Sequence, residues 1–173
     1  KWLLKNNLRV ICVLHDCWNF TGHCAHFVNV GCEKWKDKCE KCNHLLLYPK
    51  SFLFERSYDN YLKKKNLFCS LEKNEIIAPS IWMANLVKKS FLKDLKITVI
   101  NNGINTSIFK KRTSNIRMKY GLLNKKIILC VANIFNKAKG IFDIYLLSEY
   151  LEENEKLLIV GEIRDKRIIN DRI

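Results

Sequence analysis

Short apolar, β-branched runs alternate along this chain with segments whose apolar residues recur every three or four positions, predicting strands and helices in turn. Leu8 to Leu14 reads as a strand buried on both faces, ending abruptly at His15-Asp16. From Cys17 to Pro49 both periods vanish among cysteines, aromatics and histidines. This describes a long loop without a core of its own, needing covalent or metal support. A helix with a basic face, Lys63-Lys64-Lys65, is expected from about Ser57 to Leu71, followed by a short strand, Glu75 to Pro79, ended by its proline. Ser80 fits the N-cap of an amphipathic helix running from Ile81 to Phe91-Leu92. Lys96 to Ile100 supplies another strand, and Asn101-Asn102-Gly103 a turn favouring positive φ.

Farther on, Ser114 to Tyr120 reads as a short helix stopped by Gly121, and Lys126 to Ala132 as a second buried strand that begins a new sheet. Gly140 opens a helix reaching Leu151, and Lys156 to Gly161 is the next strand. Strand, helix and strand at this spacing make a βαβ unit, so the expected fold class is α/β with parallel sheets.

Composition narrows the function classes. With 173 residues, 48% hydrophobic and 28% charged, the chain has the material for a globular core, which argues against disorder. It has no apolar run of about eighteen residues, and its opening residues are too few for a signal-peptide core. A cytoplasmic protein, soluble or peripheral at the membrane, is therefore expected. The balance of 31 Lys+Arg against 17 Asp+Glu gives +14, which directs attention to acidic partners: nucleic acid, anionic lipid or phosphorylated ligands. The chain begins at Lys1 and stops at Ile173 as a segment would, so a fragment is expected.

Three groups of residues suggest chemistry. His15 and Asp16 follow a buried strand, and open α/β sheets bind ligands at the carboxyl ends of their strands; the bland alternative is a histidine satisfied within a loop. Cys24, Cys32, Cys39 and Cys42 lie close in sequence and end in a C-x-x-C, a set suited to tetrahedral structural zinc. Free or disulfide-bonded cysteines and redox chemistry are the alternatives, and Cys17, His23, His26 and His44 are substitute ligands. Lys139-Gly140 joins a strand to a helix start, where a diphosphate would meet a cation and backbone N–H groups; a solvated lysine is the plainer reading. Neither G-x-G-x-x-G nor G-x-x-x-x-G-K-[ST] occurs, so no nicotinamide or flavin cofactor is expected.

Taken in order, His15 to Cys24, Gly31-Cys32 and Cys39-Glu40-Lys41-Cys42 resemble a cysteine-bearing loop in one branch of the family-four retaining glycosyltransferases of the GT-B fold, close to bacterial enzymes of capsular and exopolysaccharide assembly. Ala78-Pro79-Ser80-Ile81-Trp82, Val99 to Asn105 and Lys139-Gly140 resemble segments found throughout that family, and the likeness runs from about Leu8 to Gly161. Members often carry arginine where this chain has Asn133 and Ala138.

The resemblance implies a fragment of two Rossmann-like domains. Residues 1–105, with a cysteine-rich loop at 17–49, would end the acceptor-side domain, and residues 106–173 would begin the donor-binding domain. It implies a nucleotide-sugar donor and a glycan or lipid-linked acceptor as partners. His15, with Asp16 beside it, would act in transition-state positioning, and Lys139 with Gly140 would hold the donor diphosphate. Asn101 to Asn105 would serve as structure near the domain crossing. For the Lys63-Lys64-Lys65 face two readings stand, a solvated helix surface and a peripheral contact with anionic membrane. Two other function classes remain open: a noncatalytic remnant that keeps the fold, and a zinc-stapled basic nucleic-acid module. The scattered basic residues and the lack of a recognition motif disfavour nucleic acid as a partner.

Overall fold

The computed structural model describes residues 2, 6, 8–71 and 73–163, and the chain divides into two compact units, Lys1–Asn105 and Thr106–Ile173. Both are α/β with parallel strands, as Rossmann-like parts would be.

In the first unit, β1 (Val10–Val13), β2 (Asn74–Ala78) and β3 (Lys96–Val99) form a parallel sheet in that order, with Cys12 opposite Ile76 and Ile76 opposite Ile97. Parallel neighbours need long crossovers. The first is the cysteine-rich loop plus helix α1 (Ser57–Cys69), and the second contains helix α2 (Ile81–Val87). Ser80 caps α2 as expected, its Oγ accepting from Met83 N at 3.1 Å. The helix stops at Val87 instead of continuing to Leu92. The cause is Ser90, whose hydroxyl donates to Val87 O at 2.7 Å and accepts from Leu92 N at 3.1 Å, offering the backbone a turn in place of another helical bond.

The core joins sheet, helices and loop. Leu14, Ile76, Ala78, Met83, Val87 and Leu92 pack in one buried cluster with Phe20, Phe27, Trp35, Tyr61 and Phe91. The loop therefore does have a core. Phe27 stacks on Trp35 with ring centroids 4.6 Å apart, and Phe20 meets Trp35 edge-on at 5.5 Å. Only single 3-10 turns at Trp18–Phe20, Val28–Val30 and Lys34–Lys36 interrupt its irregular course.

Two sequence expectations change in this unit. β1 is not buried on both faces, since Ile11 and Val13 are about half exposed while Cys12 packs against the core. The apolar run reports the strand but not what covers it. Asn101-Asn102-Gly103 is not a positive-φ turn: none of the three lies in the left-handed region, and Asn101 Nδ2 donates to Pro79 O at 3.0 Å.

The triple-lysine face also dissolves. Ser57, Tyr61, Lys64 and Phe68 fall at intervals of four, three and four, one stripe of an α-helix, and this stripe turns inward. Lys63 and Lys65 point to solvent, whereas Lys64 reaches the loop.

The second unit holds α3 (Ile116–Lys119), β4 (Lys126–Phe135), α4 (Ile141–Glu149) and β5 (Glu155–Ile163). The two strands pair in parallel from Lys126 opposite Glu155 to Val131 opposite Val160, and the register then shifts between Val131 and Ile134. Gly161 makes this shift possible. It sits at φ +144°, and a Cβ there would run into Ala132 O. Leu122, Phe135, Ile141, Leu151 and Leu157 are buried, while Leu129 and Val131 are exposed, so β4 too is covered less fully than its sequence suggests. Among the described residues no helix is long and apolar enough to cross a membrane.

Candidate functional site

The first candidate site lies where β1 ends. Leu14, buried, closes the strand by donating its N–H to Ile77 O at 2.9 Å, and the next residue, His15, emerges exposed. Asp16 then folds the chain back: its Oδ1 accepts from Trp18 N at 2.8 Å, an Asx-type turn that starts the 3-10 segment. Asp16, Trp18, Asn19, Ala25, Tyr48 and Pro49 line a cavity of about 290 Å³ beside this turn. The strand end thus presents an open imidazole and a hollow with a carboxylate at its rim.

Lys64 fixes the floor of this turn. Its Nζ donates to Trp18 O at 2.6 Å and to Thr21 O at 2.9 Å, and lies 3.4 Å from the centroid of the Trp18 ring. Burial lowers its pKa to about 8, against the opposing influence of Cys39 and Asp16. Sequence reasoning missed this residue, and the spacing from Ser57 to Phe68 was the signal that identifies it.

The second candidate, Lys139-Gly140, ends a 3-10 turn, Lys137–Lys139, that leads into α4. Lys139 is exposed, but the turn satisfies its own donors. Lys139 N donates to Asn136 Oδ1 at 3.1 Å and to Asn136 O at 3.0 Å, Gly140 N to Lys137 O, and Ile141 N to Asn136 O. Gly140 is left-handed, at φ +68°, and Asp143 stands in the first turn of α4 close enough that a Cβ on Gly140 would lie 3.3 Å from its Oδ2. The cation expected here is present; the N–H groups around it are engaged, and the helix start already has a carboxylate.

The third candidate gathers the four cysteines of the loop around one hollow. Cys24, Cys32, Cys39 and Cys42 line one cavity of about 20 Å³ with Thr21, His23, Phe27, Trp35, Glu40 and Ser57. All four are free thiols. Burial, followed by the neighbouring Cys42, pushes the Cys24 thiol up to about 12, and burial raises that of Cys39 to about 11, countered in part by a hydrogen bond from the Gly22 N–H. Among the described residues no three His, Cys, Asp or Glu side chains already form a metal-holding set. Of the substitute ligands, Cys17 is buried in the aliphatic core, and His23 faces the cavity with its Nε2 3.2 Å from Leu45 O.

Backbone geometry shapes this cluster. Gly31 and Lys41, each just before a cysteine of the set, are left-handed at φ +59° and +46°. For lysine that conformation costs about 1 kcal/mol or more. Lys34 holds it in place, its Nζ donating to Glu40 O at 3.1 Å and Lys41 O at 2.9 Å. Trp35 Nε1 donates to Cys32 O at 2.9 Å. Glu55 ties the cluster to α1, accepting from Ser57 N at 2.8 Å, from the Ser57 hydroxyl and from the Cys42 N–H; these bonds hold its carboxyl below the usual range, the hydroxyl foremost.

No family model and no solved structure matches the chain. Over 102 residues it is 34% identical to the "Putative colanic acid biosynthesis glycosyl transferase WcaC" of Escherichia coli (strain K12), a match covering 58% of this chain and 24% of that protein. The chain thus spans about a quarter of the length of the curated relative it matches, and the distant likeness suggests a glycosyltransferase-related function.

Proposed function

We propose that this chain is a segment of a sugar-nucleotide-dependent glycosyltransferase of surface polysaccharide assembly, of the family-four retaining, GT-B type. Residues 1–105 belong to its acceptor-side domain and residues 106–173 to its donor-binding domain. The observation that carries the reading is His15-Asp16 at the carboxyl end of a parallel strand, with Asp16 lining an open cavity, in a chain related over 102 residues to a glycosyl transferase.

In the proposed reaction the bond between the donor sugar's anomeric carbon and its diphosphate breaks, a bond to an acceptor hydroxyl forms, and the hydroxyl proton leaves. His15 positions the sugar, and Asp16, held by Trp18 N, sets the direction in which His15 emerges. Lys139 offsets the charge that develops on the departing diphosphate. The contact there is made by the ammonium group, because the amides of Lys139 and Gly140 serve their own turn. The partners are a nucleotide-sugar donor and a glycan or lipid-linked acceptor. Any peripheral contact with anionic membrane falls to Lys63 and Lys65, since Lys64 is engaged.

A second reading, a noncatalytic remnant, draws support from Asp143, which sets a negative charge where the diphosphate would lie. Calorimetric titration of the full gene product with nucleoside diphosphates and nucleotide sugars, followed by a transfer assay, separates the two. Binding and transfer support the enzyme, and silence from a folded full-length protein supports the remnant.

A further inference from the structure

The loop between β1 and α1 folds around a hollow the size of one ion. A cavity of about 20 Å³ is just above the volume that admits a single water-sized occupant. Cys24, Cys32 and the C-x-x-C pair Cys39 and Cys42 reach it from three stretches of the loop. We propose that these four cysteines form a structural zinc site, closing as thiolates on one Zn²⁺ in the cavity they line. This proposal is independent of the glycosyltransferase reading.

The remaining wall of the cavity leaves this role to sulfur. The Thr21 hydroxyl donates to Cys24 O at 2.6 Å, His23 Nε2 lies against Leu45 O, and the Glu40 carboxylate pairs with Lys38 Nζ at 2.7 Å. Phe27 and Trp35 make up the apolar part. A thiolate set is what soft-ligand preference assigns to zinc, with four sulfurs at about 2.3 Å closing its tetrahedron.

The backbone is arranged to serve sulfur. Gly22 packs directly against Cys39 and the start of α1. Only glycine allows that approach, because a Cβ at position 22 would collide with Ser57 O and lie 2.6 Å from Cys39 Cβ. The two left-handed residues, Gly31 and Lys41, turn the chain just before Cys32 and Cys42, so that the two cysteines enter from the ends of tight turns. The Cys32 carbonyl accepts from Trp35 Nε1 at 2.9 Å, a bond that fixes the backbone of that ligand.

The step balances without a redox partner. Zn²⁺ binds four thiols, four Zn–S bonds form, and four protons pass to solvent. The site then carries a charge of −2, with Lys64 near Cys39. The sulfurs do not yet stand as a ligating set, so binding requires side-chain rotation that draws them inward.

The test uses the chain Lys1–Ile173, purified under reducing conditions, with zinc measured by elemental mass spectrometry. About one equivalent is expected. Substituting cobalt(II) for zinc should give the intense ligand-field bands of a tetrahedral thiolate site. Cys42→Ser should reduce the metal content to background, Cys42→His should retain it, and Cys130→Ser, outside the cluster, should leave it unchanged. Should Cys42→Ser fail to fold, stepwise modification of the wild-type thiols, with released zinc followed by a chromogenic chelator, supplies the same answer. Folded wild-type protein that contains no zinc and takes up no cobalt, or that carries a Cys24–Cys42 disulfide, overturns the proposal.

Discussion

Lys64 Nζ donates to Trp18 O at 2.6 Å and stands 3.4 Å from the centroid of the same residue's indole ring, so one side chain of α1 holds both the backbone and the aromatic face of the turn that follows His15-Asp16. Removing the ammonium group leaves two inward carbonyls, Trp18 O and Thr21 O, without that donor. Lys64→Met keeps the stem length and should cost about 2 kcal/mol, the usual worth of a charge-assisted hydrogen bond with a cation–π contact beside it. Lys63→Met and Lys65→Met, on the solvent side, should lie within about 0.5 kcal/mol of wild type. Urea unfolding of the three variants checks this contrast.

Glycine is required at position 22 and unconstrained at 103. A Cβ at Gly22 would meet Ser57 O and Cys39 Cβ, both at van der Waals overlap, whereas nothing lies within 4 Å of one at Gly103. Gly22→Ala should therefore cost about 1–3 kcal/mol through overpacking, and Gly103→Ala should be neutral or slightly stabilising. Thermal unfolding followed by tryptophan fluorescence reads both, because Trp35 is buried in the core of the unit that contains both positions.

The contrast also shows how far the sequence could be read. The parallel strands were visible in the runs around Ile11, Ile77 and Ile128, since β-branched residues between turn signals have few other uses. Their covering was not, because exposure of Val13 or Val131 depends on what packs above them. Phe20, Phe27 and Trp35 build a core without any period, and pattern reading finds only periodic cores. Lys64 was legible from helical spacing, and Asn136 as a cap three residues before Lys139 was legible too; both were obscured by the nearby lysines. His15-Asp16 was legible as the end of the first strand because the apolar run stops there, and Leu14 makes the last bond to β2.

Acid should weaken the sheet of the first unit through one carboxylate. Glu75 Oε1 accepts from Lys96 Nζ at 2.8 Å and Thr98 Oγ1 at 3.1 Å, and its Oε2 accepts from Arg9 at 2.9 Å, joining all three strands across their start. These partners, Lys96 first, lower its pKa from 4.5 to about 2. A folded-state value below the unfolded one means the contribution is fully present above pH 4.5 and is lost as pH falls toward 2. Stability measured across that window should fall for wild type and fall less steeply for Glu75→Gln. Equal slopes would show that the three contacts leave the titration of Glu75 unchanged.

The proposed reaction assigns different kinetic signatures to His15 and Lys139. Both side chains are exposed, so replacing either by alanine should leave stability within about 0.5 kcal/mol of wild type. In the full gene product, His15→Ala should lower kcat by about 100-fold with little change in donor KM, the mark of a group that acts on the transition state more than on the bound substrate. Lys139→Ala should lower kcat/KM for the nucleotide sugar by a similar factor and weaken binding of the free nucleoside diphosphate, because its charge meets the leaving group both before and after bond cleavage. Asp143→Asn removes the carboxylate beside Gly140 and should strengthen diphosphate binding several-fold, with the effect diminishing as salt is raised. Unchanged diphosphate affinity in both Lys139→Ala and Asp143→Asn would remove the Lys139-Gly140 turn from the donor site, leaving the assignment of His15 to stand or fall on its own kinetics.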